Sequence, residues 1–113
     1  MKIYVAGKYG NHLPSVYRLD NVMKAIETGR QLILKGHNPF IPHLTHFIHE
    51  GWDTDIGEKW YELDLEWLKC CDAIFMLDNW EDSKGAKLEY QKAIDLEIQI
   101  YYRMEDVPNG SSL

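Results

Sequence analysis

Strand-like apolar runs alternate with helix-like amphipathic stretches along this chain, and that alternation restricts its fold more than any single motif does. Ile3-Tyr4-Val5-Ala6 reads as a buried strand ending at Gly7, with a glycine-bearing loop from Gly7 to Asn11. From Arg18 to Leu34, the residues Leu19, Val22, Met23, Ile26 and Ile33 recur at helical spacing, and Gly36 stands where a helix end wants glycine. Asn38 to Ile41 is a short second strand bracketed by Pro39 and Pro42, and residues 42–56 read as a long loop, of the kind that often carries function. A helix from Gly57 to Cys71, the strand Ala73-Ile74-Phe75-Met76-Leu77, a turn over Asp78 to Asp82, a helix from Ser83 to Leu96 and a last strand over Ile98 to Tyr102 complete the series. Such a series folds as a parallel sheet with helices on both faces and right-handed connections. The expected order is 2-1-3-4, a flavodoxin-like three-layer α/β/α arrangement of about four strands. Residues 1–103 are expected to form the domain and residues 104–113 a polar C-terminal tail.

In such a sheet, ligands bind beyond the carboxyl ends of the strands, where the strand order reverses. That places any chemistry between the loop after the first strand and the turn at Asp78 to Ser83. The chain has 113 residues, too few for two ordinary domains. Its formal charge of −6 disfavours a surface that tracks long nucleic acid. No run approaches the ~18 apolar residues of a membrane span, and none has the form of a signal peptide. Cys70 and Cys71 are adjacent and have neither ligand nor redox spacing, so they are expected to pack as thiols in a reduced cytoplasmic protein.

Two carboxylates fall on the apolar sides of their helices. Phased at ~100° per residue, Trp60, Leu63, Trp67, Leu68 and Cys71 form one stripe, and Asp64 lies inside it. In the following helix Ala86, Tyr90, Ala93, Ile94 and Leu96 define the inward face, and Glu89 points the same way. Glu97 also phases inward, but at a solvent-near helix end. An inward carboxylate is costly unless it is paired or hydrogen-bonded. Both have a plain structural account: Asp64 accepts from a backbone or indole N–H, and Glu89 caps a loop or pairs with Lys8. Their common position near the strand-order reversal gives a chemical account equal standing, because burial makes an acid and a nucleophile out of similar groups.

The segments Lys2-Ile3-Tyr4-Val5-Ala6-Gly7, Asp64-Leu65-Glu66-Trp67-Leu68 with Cys71-Asp72-Ala73-Ile74, and Ser83-Lys84-Gly85-Ala86-Lys87-Leu88-Glu89 resemble the nucleoside 2-deoxyribosyltransferase superfamily, which includes deoxynucleoside 5′-monophosphate N-glycosidases. Within it, Pro42-His43-Leu44-Thr45-His46 resembles a small bacterial and phage-type subgroup. The resemblance implies an N-glycosidase or deoxyribosyltransferase acting on a nucleoside or nucleotide. Glu89 would be the nucleophile and Asp64 the residue near the leaving base, with Tyr4 holding the Glu89 carboxylate. Gly7, Lys8 and Tyr9 with Ser83, Lys84 and Gly85 would surround the sugar and its 5′ substituent. A serine at position 83 goes, in that superfamily, with a 5′-phosphate, although serine is also a good N-cap without any ligand, and Glu81 and Asp82 oppose the positive potential. Relatives often complete the site with a C-terminal segment of a neighbouring subunit; Met104, Ser111 and Ser112 are the only residues here that stand in that place. A homodimer or higher homo-oligomer is expected, covering Tyr101, Tyr102 and Trp52.

His43, His46 and His49 are spaced by three, which on a helix would align them with Glu50 as zinc ligands. Pro42 and the lack of a second ligand cluster favour loop or packing histidines, so no metal and no cofactor are expected. Trp60 and Trp67 are expected in the core, whereas Trp52 and Trp80 fall on loops at the crevice, where Trp80 is a base-stacking candidate. Besides the glycosidic enzyme, two other readings remain open: a nucleotide-binding module that turns nothing over, and a metal-dependent hydrolase on the histidine loop.

Overall fold

The computed structural model describes residues 1–10 and 12–110; Asn11 of the first loop, and Ser111, Ser112 and Leu113, lie outside the described residues. Four parallel strands, β1 (Lys2–Ala6), β2 (Asn38–Phe40), β3 (Ala73–Met76) and β4 (Gln99–Tyr101), lie in the order β2-β1-β3-β4. Tyr4 pairs with Phe40 on one side and Ile74 on the other, so β1 is a central strand. The flavodoxin-like arrangement expected from the alternation is the one observed.

Because strand side chains alternate between faces, the two apolar runs divide cleanly. Ile3, Val5, Ala73, Phe75 and Leu77 face one layer, and Tyr4, Ala6, Ile74 and Met76 the other. Helix α1 (Ser15–Leu34) covers the first face with Val22, Ala25, Gly29 and Leu32. The helix begins three residues before the expected Arg18, and its buried stripe is rotated from the large apolar residues. Leu19, Met23 and Ile33 are exposed, and the inward positions are mostly small. Gly29 is needed there: a Cβ would stand 2.4 Å from Ile41 Cδ1.

The other face is covered by α3 (Lys59–Leu68) and α4 (Lys84–Asp95). Here too the largest residues misled the phasing. Leu68 is buried and Leu65 packs on the core, while Leu63 is exposed and Trp67, expected in the core, is 55% exposed with its ring stacked on Phe40. Glu97 is exposed and left-handed (φ 58°) just past α4, not inward.

Two segments have more structure than expected. Within 42–56, Pro42–Thr45 form a 3₁₀ turn that runs into the one-turn helix α2 (His46–His49). After β4, the residues read as a polar tail return to the α1 face. Val107 is 2% exposed in the same core cluster as Ile3 and Phe75. Lys35 Nζ donates to the carbonyls of Met104 (2.7 Å) and Val107 (2.8 Å), and His37 Nε2 to that of Pro108 (2.6 Å). The segment covers sheet surface that α1 leaves bare.

Candidate functional site

The carboxyl ends of β1 and β3 open into a cleft of about 710 Å³, within the usual range for a small-molecule site. Its walls come from the loop after β1, the 42–49 segment, α3 and the start of α4. Gly7, Lys8, Tyr9, Asp64, Ser83, Lys84, Gly85 and Glu89, all singled out from sequence, line this one cleft.

The loop after β1 is pinned from three sides. Asn79 Oδ1 accepts from the Lys8 amide (3.0 Å), Asn21 Nδ2 donates to the Tyr9 carbonyl (3.1 Å), and His43 Nε2 donates to the Lys8 carbonyl (3.2 Å). Gly7 is required by contact, since a Cβ would lie 2.5 Å from Leu77 Cδ1. Burial pushes the His43 imidazole down to about 4, so the ring is neutral, and its buried Nδ1 has no hydrogen-bond partner among the described residues.

Glu89 enters from α4 and is 8% exposed. Its carboxylate accepts a hydrogen bond from the phenol of Tyr4, a fully buried residue of β1. Burial raises the Tyr4 phenol well above its ordinary value, reinforced by the charge of Glu89, so it stays protonated and donates. Burial likewise raises Glu89 to about 8; the Tyr4 hydrogen bond opposes that shift and the nearby Asp64 carboxylate adds to it. Asp64, one α3 turn from Trp60, is raised to about 7 by burial alone. Glu89 meets Tyr4 rather than Lys8, and among the described residues no hydrogen bond to Asp64 is formed.

Ser83 is the N-cap of α4: its Oγ accepts from the Ala86 amide (3.1 Å). Among the described residues, the amides of Lys84 and Gly85 have no acceptor and are open donors of the helix start. Gly85 lets α3 approach, because a Cβ would stand 2.8 Å from the Tyr61 ring. The Lys84 ammonium reaches Glu58 at 3.8 Å, an exposed pair of little energetic weight.

Trp80 is not a wall of the cleft. Its ring stacks on Tyr90 at 4.6 Å and packs on the α3/α4 side of the core; Trp52 does not line the cleft either, and Trp60, expected in the core, does. The phasing missed this because a helix residue at the core's margin faces both core and crevice. Sequence reasoning also missed the partner of the histidines. Tyr9 Oη is 2.6 Å from His46 Nδ1 and 2.6 Å from His49 Nε2. Among the described residues, no group of three or more His, Cys, Asp or Glu is arranged to hold a metal ion.

A cleft at the carboxyl ends of a parallel sheet, with two carboxyls raised by burial, has the groups that acid–base or nucleophilic chemistry on a small molecule would need. The chain belongs to the DUF4406 family, a domain of unknown function, which it matches over residues 1–102. No curated protein matches it. Its fold is similar to the solved structure of a 2-deoxyribosyltransferase from the psychrotolerant bacterium Bacillus psychrosaccharolyticus. That likeness has a TM-score of 0.63 at 23% identity, over 98% of this chain and 93% of the other.

Proposed function

We propose that this protein cleaves, or transfers across, the N-glycosidic bond of a (deoxy)nucleoside or its 5′-monophosphate. The observation that carries this reading is the meeting of Glu89, held by Tyr4, with Asp64 in one cleft. In the first step a Glu89 oxygen forms a bond to the anomeric carbon while the C–N bond breaks. Its electron pair goes to the base nitrogen, and the Asp64 carboxyl supplies the proton to the departing base. In the second step water, or a second base, attacks the same carbon and Glu89 leaves as the carboxylate. The proton lost by the incoming group returns to Asp64. Net retention follows from two displacements at one carbon.

The 5′ end of the sugar is assigned to the start of α4, where the open amides of Lys84 and Gly85 suit a phosphate. The protein acts as a homo-oligomer in this reading. Val16, Leu19, Met23, Ile33 and Leu34 leave an apolar side of α1 open to solvent, and light scattering at the monomer mass of 13.3 kDa across micromolar concentrations counts against it.

The deciding experiment follows base release from a panel of nucleosides and 5′-monophosphates by chromatography. Folded Glu89→Gln is expected to lose at least ~10³-fold in kcat/KM. Turnover unchanged in that variant removes Glu89 as the nucleophile. One observation favours a second reading, a binding module without turnover: a Glu89 raised to about 8 is mostly neutral at pH 7 and so recognises a ligand without attacking it. Under that reading, Glu89→Gln binds ligand normally and the wild type releases no base.

A further inference from the structure

The outer strand β2 has a helix from each layer beside it, and both helices leave apolar side chains open there. In one layer, Gly29 of α1 lies against Ile41 and Pro39. Lys35, on the opposite flank of that helix, reaches the C-terminal segment. Phased at ~100° per residue from Gly29 and away from Lys35, α1 then presents Leu19, Met23, Ile33 and Leu34, all exposed. In the other layer, Trp67 of α3 stacks on Phe40 of β2 and still stands exposed. Leu63, one turn earlier, is exposed beside it.

The strand between these two helix sides is a poor template for another strand. The Asn38 amide donates to the Met1 carbonyl, and Asn38 and Phe40 sit in register with Lys2 and Tyr4. Alternation along a parallel strand therefore turns the backbone groups of Asn38 and Phe40 toward β1 and those of Pro39 outward. Proline has no N–H, so the outward edge of this three-residue strand offers no donor. A partner at this edge binds the helix sides and does not lengthen the sheet.

Charge and area say what that partner is. Asp20 meets Lys24 at 3.5 Å, Glu27 meets Arg30 at 3.3 Å and Glu66 meets Lys69 at 3.2 Å. These groups cancel locally in a chain of net charge −6, so two copies meet here without the repulsion that acts between the rest of their surfaces. The six exposed side chains offer on the order of 600–700 Å² per copy, against ~800 Å² per partner in a stable pair, with a polar rim to add the remainder. The edge is also self-complementary. A two-fold axis along the strands sets α1 of one copy on α3 of the other, and an axis normal to the sheet sets like helix on like. Apolar meets apolar in both. We propose that the β2 edge, flanked by α1 and α3, is the interface of an isologous homodimer. The inference rests on the homo-oligomer proposed above, for which it names the contact surface, and not on the glycosidic chemistry.

Analytical ultracentrifugation of the wild type is expected to find twice the 13.3 kDa chain mass. Met23→Glu and Leu63→Glu, both at exposed positions, are expected to raise the dimer Kd at least about thirtyfold. Ile94→Glu, at an exposed position of α4, is expected to leave it within about threefold. Hydroxyl-radical oxidation of the unaltered protein gives a second readout that needs no variant to fold. Met23 and Trp67 are expected to become protected as concentration rises through the dimer Kd, while exposed Trp52 stays reactive. A dimer that survives both edge substitutions, or that protects Trp52 and leaves Met23 and Trp67 reactive, removes this interface and keeps the homo-oligomer. A monomer of 13.3 kDa throughout the micromolar range removes both. Neither measurement reads turnover, so the glycosidic reading stands or falls separately, on base release.

Discussion

The Tyr4 phenol and the Glu89 carboxylate, 85 positions apart in sequence, meet by a hydrogen bond between the central strand β1 and the inner face of α4. Tyr4 is fully buried and Glu89 meets solvent only through the cleft, so each supplies much of the other's solvation. Burial favours the neutral carboxyl and the Tyr4 donor favours the ionised one, so Glu89 titrates near 8 rather than in the ordinary carboxylate range.

The pH–rate profile follows from that pair. Glu89 near 8 and Asp64 near 7 are coupled, so the two apparent values belong to the dyad. In the proposed mechanism the reacting form is the minor one of the singly protonated dyad, with Glu89 ionised and the proton on Asp64. Its population tracks the singly protonated dyad, so kcat/KM is expected to peak between pH 7 and 8 with a limb on each side. In Asp64→Asn the rate is expected to drop, with the alkaline limb abolished because Glu89 then titrates alone. A profile flat from pH 6 to 9 in the wild type contradicts the dyad.

Stability should run the other way from that of most acidic proteins. The folded value of Glu89 is raised from 4.5 to about 8, so the folded state holds a proton that the unfolded chain has lost. The stability this gives is full below about pH 4.5 and is lost as pH rises through about 8. Glu89→Gln, which cannot ionise, is expected to be more stable than wild type at pH 8.5 by on the order of 2 kcal/mol, with the difference shrinking toward pH 5. Thermal melts of the two proteins across that range measure it; parallel curves would show that Glu89 titrates normally.

What could be read from the sequence depended on how local its cause was. The strands were legible because Ile3 to Ala6 and Ala73 to Leu77 are apolar on both faces, which only a sandwiched strand requires. Asp64 and Glu89 were legible because a carboxylate in an apolar phase is a local contradiction. Trp67 and Leu63 were misplaced because size draws the phase toward the largest side chains, whereas α3 turns Tyr61, Asp64, Leu65 and Leu68 inward. The Tyr9–His46–His49 cluster was illegible because it joins residues 37 and 40 apart, through a helix one turn long that has no periodicity to read.

The docked C-terminal segment was invisible for a related reason: its anchor is one apolar residue, Val107, among polar ones, and its hydrogen bonds use backbone carbonyls. Val107→Ala is expected to destabilise the fold by about 1–3 kcal/mol, since a fully buried side chain is truncated without room to collapse. Lys35→Met is expected to cost about 1 kcal/mol or more, because it removes the Lys35 donor from the Val107 carbonyl and leaves the Met104 carbonyl only the Val107 amide among the described residues. Urea unfolding of both variants checks this, and a wild-type midpoint for each would mean that the segment is not part of the cooperative fold.

Ser83 separates a capping role from a ligand-binding one. Its Oγ lone pair is engaged by the Ala86 amide, its own proton has no acceptor among the described residues, and the residue lines the cleft with Gly85 and Glu89. Loss of the cap alone costs ~1 kcal/mol of stability and treats every substrate alike. Loss of a phosphate contact raises KM for the 5′-monophosphate and spares the nucleoside. Against a phosphate stand Glu81 and Asp82 just before the helix, which weaken the positive end of α4. Lys84, exposed and only weakly paired with Glu58, would add its charge to the backbone amides in holding the anion. Wild type is therefore expected to prefer the 5′-monophosphate to its nucleoside by about tenfold in kcat/KM, and Ser83→Ala to remove most of that preference. A nucleoside preference that survives the substitution would make Ser83 a helix cap and nothing more.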